Sequence, residues 1–142
     1  MYLNYVGIRV TNMERSLKFY TEIFRLEVVS QGDNGPLGGG TYVLLRDPNS
    51  GQKLELNYYP ASSPYAVPYA PGEGLDHVAF RVKDVGATLR ELAKHGVGQI
   101  EIPESLADLG EGVRVAYVMD PDGMWIELYQ NPSPISEISR GY

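Results

Sequence analysis

The chain writes one phrase twice. Residues 3–10, LNYVGIRV, return at residues 75–82 as LDHVAFRV. Leu3, Val6, Arg9 and Val10 recur as Leu75, Val78, Arg81 and Val82, each 72 positions on, while Tyr5 becomes His77. A second match follows in each half: Asp47-Pro48-Asn49-Ser50-Gly51 ahead of Lys53-Leu54-Glu55-Leu56, and Asp120-Pro121-Asp122-Gly123 ahead of Trp125-Ile126-Glu127-Leu128. Glu55 and Glu127 are again 72 apart, and the turn before them differs by one residue. A common offset at both ends of each half identifies a tandem duplication. Whatever one half folds into, the other must fold into as well.

Each half reads the same way. An alternating strand comes first, with Val6, Ile8 and Val10 on one face, repeated as Val78, Phe80 and Val82. A helix follows, capped by Thr11 or Asn12 in the first half and by Asp84 in the second. Leu17, Tyr20 and Phe24 share one helical face, as do Leu89, Leu92 and Ala93, and Gly96 is placed to stop the second helix. Strands are then predicted at about 27–31, 41–46 and 53–58, and again at about 98–102, 114–119 and 125–129. The Asp-Pro clusters serve as hairpin turns. The order is βαβββ twice, an α+β fold in which two modules form an open, cup-shaped mixed sheet with helices on the outer face. Module one runs to about residue 60, a Pro-, Ser-, Tyr- and Gly-rich linker spans about 61–73, module two covers about 74–131, and a tail takes 132–142, all within one domain.

Composition removes several functions. The 142 residues suffice for one compact domain with a buried core. With no cysteine, a disulfide, a thiolate zinc site and a cysteine nucleophile are all excluded. A net charge of −6 argues against a nucleic-acid surface, which needs a basic face to displace counterions. No stretch is apolar over a membrane-spanning length, and the N-terminus lacks the pattern of a signal peptide. A cytoplasmic protein without a membrane partner is expected.

Strand alternation brings out four positions. If Val6, Ile8 and Val10 face the helix, Tyr5, Gly7 and Arg9 face the other way, and His77, Ala79 and Arg81 follow suit. In the last strands, Leu54 with Leu56 and Ile126 with Leu128 face the core, which turns Glu55 and Glu127 outward. Two curved sheets would then display Tyr5, Glu55, His77 and Glu127 on a concave face, in pairs related by a pseudo-two-fold axis. Carboxylates between Leu and Ile are costly unless hydrated, paired or bound to a cation. Two of them with an imidazole suit a divalent ion: zinc, nickel, manganese, cobalt or iron(II). The plain alternative is a pair of solvated glutamates on open sheets.

On the stretches GIRVTNMERSLKFYTEIF (7–24), KLELNYY (53–59), LDHVAFRV (75–82) and VMDPDGMWIELY (118–129), the chain resembles the vicinal oxygen chelate superfamily. That superfamily includes glyoxalase I, bleomycin-resistance proteins, extradiol dioxygenases and methylmalonyl-CoA epimerase. The resemblance runs from Tyr5 to Tyr129 and is closest to glyoxalase I-like members. Those enzymes place His or Gln, then Glu, His and Glu, at the metal. Mapped here, the ligands are Tyr5, Glu55, His77 and Glu127, of which three match and the first departs. The resemblance also implies a homodimer. Three roles are open to Tyr5: ligation as phenolate, a hydrogen bond to substrate or to a water on the metal, or packing. The second needs neither ionisation nor a shorter reach.

The resemblance implies a lyase or isomerase in which a divalent metal binds neighbouring substrate oxygens and stabilises an enediolate. Glu127 is then the base, with Glu55 its symmetric alternative. Arg9 matches an arginine that holds an anionic substrate group in glyoxalase I. Arg81 is its repeat partner, and both could equally pair with a nearby carboxylate. Glutathione use is not favoured: Glu73 stands where a basic residue is usual, ESLADLGEGVR (104–114) is acidic where lysines are usual, and Asn57 arrives early. A different small α-oxo substrate fits better. An extradiol dioxygenase needs a second ligand histidine, and His95 reads as an exposed residue at a helix end. The other class left open is a bleomycin-resistance-type protein that sequesters a small molecule without turning it over. The tyrosines of residues 57–74 offer an aromatic wall or a stiff linker packing its rings, Gly38-Gly39-Gly40 reads as a flexible loop, and Arg25 stands where relatives often have Gly.

Overall fold

The repeat in the sequence reappears as a repeat of strand register. The structure, a computed structural model, describes residues 3–33, 39–72 and 74–133. The chain divides into two units, Met1–Pro71 and Gly72–Tyr142. In unit one, β1 (Val6–Arg9), β2 (Glu27–Asp33), β3 (Thr41–Arg46) and β4 (Lys53–Tyr58) form a sheet of order β1-β4-β3-β2. In unit two, β5 (His77–Val82), β6 (Gln99–Ile100), β7 (Asp108–Gly110), β8 (Val113–Met119) and β9 (Trp125–Gln130) form a sheet of order β5-β9-β8-β6, with β7 also on β8. β1 runs parallel to β4 with Val6 opposite Leu54 and Gly7 opposite Glu55. β5 runs parallel to β9 with Val78 opposite Ile126 and Ala79 opposite Glu127. Every one of these pairs maps onto its counterpart by the 72-residue shift. The mixed α+β class is the expected one.

The helices start and stop where side chains satisfy the backbone. α1 (Met13–Lys18) is capped by Asn12, whose Oδ1 accepts from the Arg15 N–H at 3.0 Å. Thr11 instead receives the Arg15 guanidinium on Oγ1. The helix then widens into a π turn, Phe19–Ile23, closed by the Phe24 N–H on the Phe19 carbonyl. Phe19 and Tyr20 are both buried there, and the Phe24 ring lies 5.2 and 6.3 Å from theirs. α2 (Val85–Lys94) is capped by Asp84, which accepts from the Ala87 N–H, and ends on Gly96 at φ +75°. Its inward face is Val85, Leu89 and Leu92, at i, i+4 and i+7. Ala93, expected on that face, is exposed, because one further residue rotates it off the stripe.

Module two departs from a plain βαβββ. The strand expected over 98–102 contracts to two residues, and α3 (Glu104–Ala107) with β7 follows it. Pro103 supplies the reason: it has no N–H for a ladder and takes the extended conformation that opens α3. The cores repeat as well. Ile8, Val43, Leu45, Leu54 and Leu56 are buried in unit one, and Ala116, Val118, Ile126 and Leu128 in unit two. Each large aliphatic side chain among them contributes about 1.5–3 kcal/mol by burial. β2 is exposed along its whole length and breaks register between Val28 and Ser30, a bulge that blunts an open edge. Among the described residues, no helix is long and apolar enough to cross a membrane.

Candidate functional site

Parallel pairing of β5 with β9 sets up the first contact. His77 lies opposite Trp125, and Glu127 lies opposite Ala79, so His77 and Glu127 are diagonal neighbours on one face. Ala79 carries almost no bulk beside the carboxylate. The imidazole Nε2 and the Glu127 Oε2 stand 3.0 Å apart. On its other side, the His77 Nδ1 is 2.7 Å from the Asp76 Oδ2. Asp76 is 90% exposed, whereas Glu127 retains only 16% exposure. The ring is thus flanked by a carboxylate at each nitrogen. If Nδ1–H is donated to Asp76, Nε2 turns a lone pair toward Oε2, and two acceptors at that distance require a proton or a cation between them.

The antiparallel pairing of β8 with β9 supplies a third group. Tyr117 stands directly opposite Glu127, and its hydroxyl donates to the same Oε2 at 2.9 Å. Its ring meets His77 edge-on at 5.8 Å and Trp125 at 5.5 Å. Burial raises the Tyr117 pKa, and the hydrogen bond to Glu127 and the charges of Glu127 and Asp76 raise it further, so the phenol keeps its proton. Sequence reasoning missed Tyr117 and Asp76. Tyr117 was readable by counting equal steps back from the Asp120-Pro121-Asp122-Gly123 turn, which pairs it with Glu127.

Module one builds the corresponding places differently. Tyr5 precedes β1 and is 41% exposed. Glu55, half-buried on β4, lies opposite Gly7 and accepts from the Asn57 side-chain amide at 3.1 Å. A methyl group added at Gly7 would fall 3.2 Å from that amide nitrogen, so the small residue leaves room for the pair. The cross-strand neighbour of Glu55 is Leu44, where Glu127 has Tyr117. Among the described residues, no three His, Cys, Asp or Glu are gathered as a metal-holding group. The donors that come together within one unit are His77 and Glu127.

These donors suit a divalent ion. Ligand atoms about 2.1 Å from a metal and at right angles to each other are about 3 Å apart. The 3.0 Å between Nε2 and Oε2 has that length. A histidine nitrogen and a carboxylate oxygen are also the donor types that zinc, nickel, manganese, cobalt and iron(II) accept.

The arginines are occupied by main chain. Arg9 donates from Nη2 to the Val67 carbonyl at 3.1 Å and lies 5.6 Å from the centre of the Tyr59 ring. Arg81 donates from Nη2 to the carbonyls of Asn131, at 2.7 Å, and Ser133. Each repeat arginine therefore holds the segment that leaves its module. The linker behaves accordingly: the Tyr59 and Tyr65 rings meet at a 56° tilt with centres 5.9 Å apart, and Ser63 is buried. Gly40 fits because a β-carbon there would lie 2.3 Å from the Tyr58 carbonyl oxygen. Gly38, Glu73 and the tail beyond residue 133 lie outside the described residues. His95 closes α2 as an exposed residue.

Known proteins share this arrangement of strands. A probable lactoylglutathione lyase of Vibrio parahaemolyticus is 30% identical over 125 residues, covering 87% of this chain and 86% of that protein. The lactoylglutathione lyase of Schizosaccharomyces pombe is 30% identical over 145 residues, covering 89% of this chain and 46% of that protein. The chain thus spans about half the length of that relative and most of the length of the bacterial one. The trypanothione-dependent glyoxalase I of Leishmania major superposes with a TM-score of 0.68 at 30% identity, covering 98% of this chain and 94% of that one. The family model described as Glyoxalase/Bleomycin resistance protein/Dioxygenase superfamily matches residues 2–128, and the chain belongs to that superfamily.

Proposed function

We propose that the protein is a glyoxalase I-like, divalent-metal-dependent lyase or isomerase acting on a small substrate with neighbouring oxygens. The observation that carries this reading is the pair His77 Nε2 and Glu127 Oε2 at 3.0 Å, with Asp76 on the far ring nitrogen. A carboxylate behind a ligating imidazole holds the ring's orientation and tautomer. His77 and Glu127 would hold the ion, Glu55 is the candidate further ligand by the superfamily's pattern, and Tyr5 would serve as a hydrogen-bond donor to substrate. When bound, the ion supplies a Lewis acid for two adjacent substrate oxygens. Glu127 takes the proton from the substrate carbon, the C–H electron pair forms a double bond to the neighbouring carbonyl carbon as that carbonyl's π pair moves onto its oxygen, and the same carboxylate returns the proton to the former carbonyl carbon. Glu55 is the symmetric alternative base.

The relatives named lactoylglutathione lyase support the reaction class. The acidic Glu104, Asp108 and Glu111 stretch offers no lysine to a peptide-like cosubstrate, so the substrate is placed among small α-oxo compounds without a glutathione requirement. Arg9 and Arg81 are the candidate groups for an anionic substituent of the substrate. A single cytoplasmic domain of two modules, assembled as a homodimer, completes the reading.

Elemental analysis tests it. The purified protein is measured as isolated, after chelation, and after reloading with nickel, zinc, manganese, cobalt and iron(II). Near-stoichiometric metal in the wild type, lost in His77→Ala, is the expected result. Absence of metal under every loading condition refutes the lyase and turns attention to a protein that sequesters a small molecule.

A further inference from the structure

The two oxygens of the Glu127 carboxylate are not equivalent. Oε2 faces the His77 Nε2 at 3.0 Å and accepts from the Tyr117 hydroxyl at 2.9 Å. No hydrogen bond to Oε1 is found among the described residues. The tyrosine is held from several sides: it pairs across the strands with Glu127, and its ring packs on His77 and Trp125. Its hydroxyl is the donor in that contact, and a phenol O–H can serve a carboxylate oxygen directly. Module one lacks the device, since Leu44 occupies the position opposite Glu55 and the donor to that carboxylate is Asn57 on its own strand.

We propose that Tyr117 is the positioning residue that divides the work of Glu127. It holds Oε2 toward His77, where the metal would bind, and leaves Oε1 to reach the substrate carbon. This rests on the metal-dependent reading above. A carboxylate ligand without an outer hydrogen bond swings between one-oxygen and two-oxygen ligation, and two-oxygen ligation would remove the base. The asymmetry between modules also assigns the base: Glu127 has its two oxygens differentiated by a phenol on a neighbouring strand, and Glu55 does not.

Tyr117→Phe deletes one oxygen and keeps the ring contacts. The experiment compares apo wild type with apo variant by titration calorimetry with Mn(II) and Ni(II), and by the visible spectrum of the Co(II)-loaded proteins. The expected result is metal affinity lower by about 10–100-fold, a changed Co(II) spectrum, and little change in the thermal midpoint of the apo protein. Equal affinity and an identical Co(II) spectrum would overturn the assignment while leaving the metal reading standing. Weaker binding with a lower apo midpoint and an unchanged spectrum would also overturn it, by showing a purely structural role. A wild type that binds none of the three ions fails at the earlier step and removes both readings. Should the Phe variant fold poorly, Tyr117→Leu, which copies module one, takes its place in the same comparison.

Discussion

Arg25 is exposed at φ +61°, in the left-handed region that a β-carbon disfavours. The chain has no freedom to avoid it. The Phe24 N–H closes the π turn on the Phe19 carbonyl, and the Leu26 N–H returns to the Tyr20 carbonyl at 3.0 Å. Leu26 itself is buried. Between those two fixed residues, the backbone must pass through a left-handed conformation. An L residue there costs roughly 1–2 kcal/mol, while glycine gives back roughly 0.5–1 kcal/mol in unfolded-chain entropy. Arg25→Gly should therefore stabilise the protein by about 0.5–1 kcal/mol, a rise of roughly 2–4 °C in Tm. Urea unfolding followed by far-UV circular dichroism reads the change. The fluorescence of Trp125, the single tryptophan and a module-two residue, shows whether the second unit unfolds with the first. Arg25→Ala is the control, because it shortens the side chain and keeps the β-carbon. A Gly variant no more stable than the Ala variant would refute the argument that backbone strain is stored at this position.

Two further outcomes follow from the turn and from the carboxylate base. Burial pushes the Asp47 carboxyl up, but hydrogen bonds from the Ser50 hydroxyl, the Asn49 and Ser50 N–H groups and the Asn49 amide outweigh it and hold the pKa low. Its contribution to stability is therefore present above about pH 4 and lost as pH falls through the folded-state value. Asp47→Asn should flatten the acid limb of the urea midpoint plotted against pH, and an unaltered limb would refute this. Glu127→Gln preserves shape while removing the base, so proton exchange at a substrate carbon should fall by at least about 100-fold, measured by deuterium incorporation from solvent; undiminished exchange would move the base to Glu55.

The duplication was readable because it is a statement about identity at a fixed offset, and strand register simply inherits it. Val6 and Val78, Glu55 and Glu127 take equivalent ladder positions because the first strand of each module pairs in parallel with its last strand in the same register, even though the turn before the last strand is one residue shorter in module two. Caps at Asn12 and Asp84 were equally local, set by a side-chain oxygen within three residues of the N–H it serves. His77 and Glu127 could be placed on one face from alternation alone. Three features escaped that reasoning. The Tyr117 hydroxyl acts across β8 and β9, so its role depends on a cross-strand register and a rotamer rather than on spacing along the chain. Arg9 and Arg81, read as groups for an anion or equally for a nearby carboxylate, give Nη2 to carbonyls of segments 50 or more residues away, a competition that only the folded backbone can set up. The π turn at Phe19–Ile23 arises from packing three aromatic rings together, and helical periodicity has no term for it. Local chemistry and periodicity determined which elements form and which faces they bury; the pairing of strands decided which polar atoms meet, because hydrogen bonds require positions that no single element can supply.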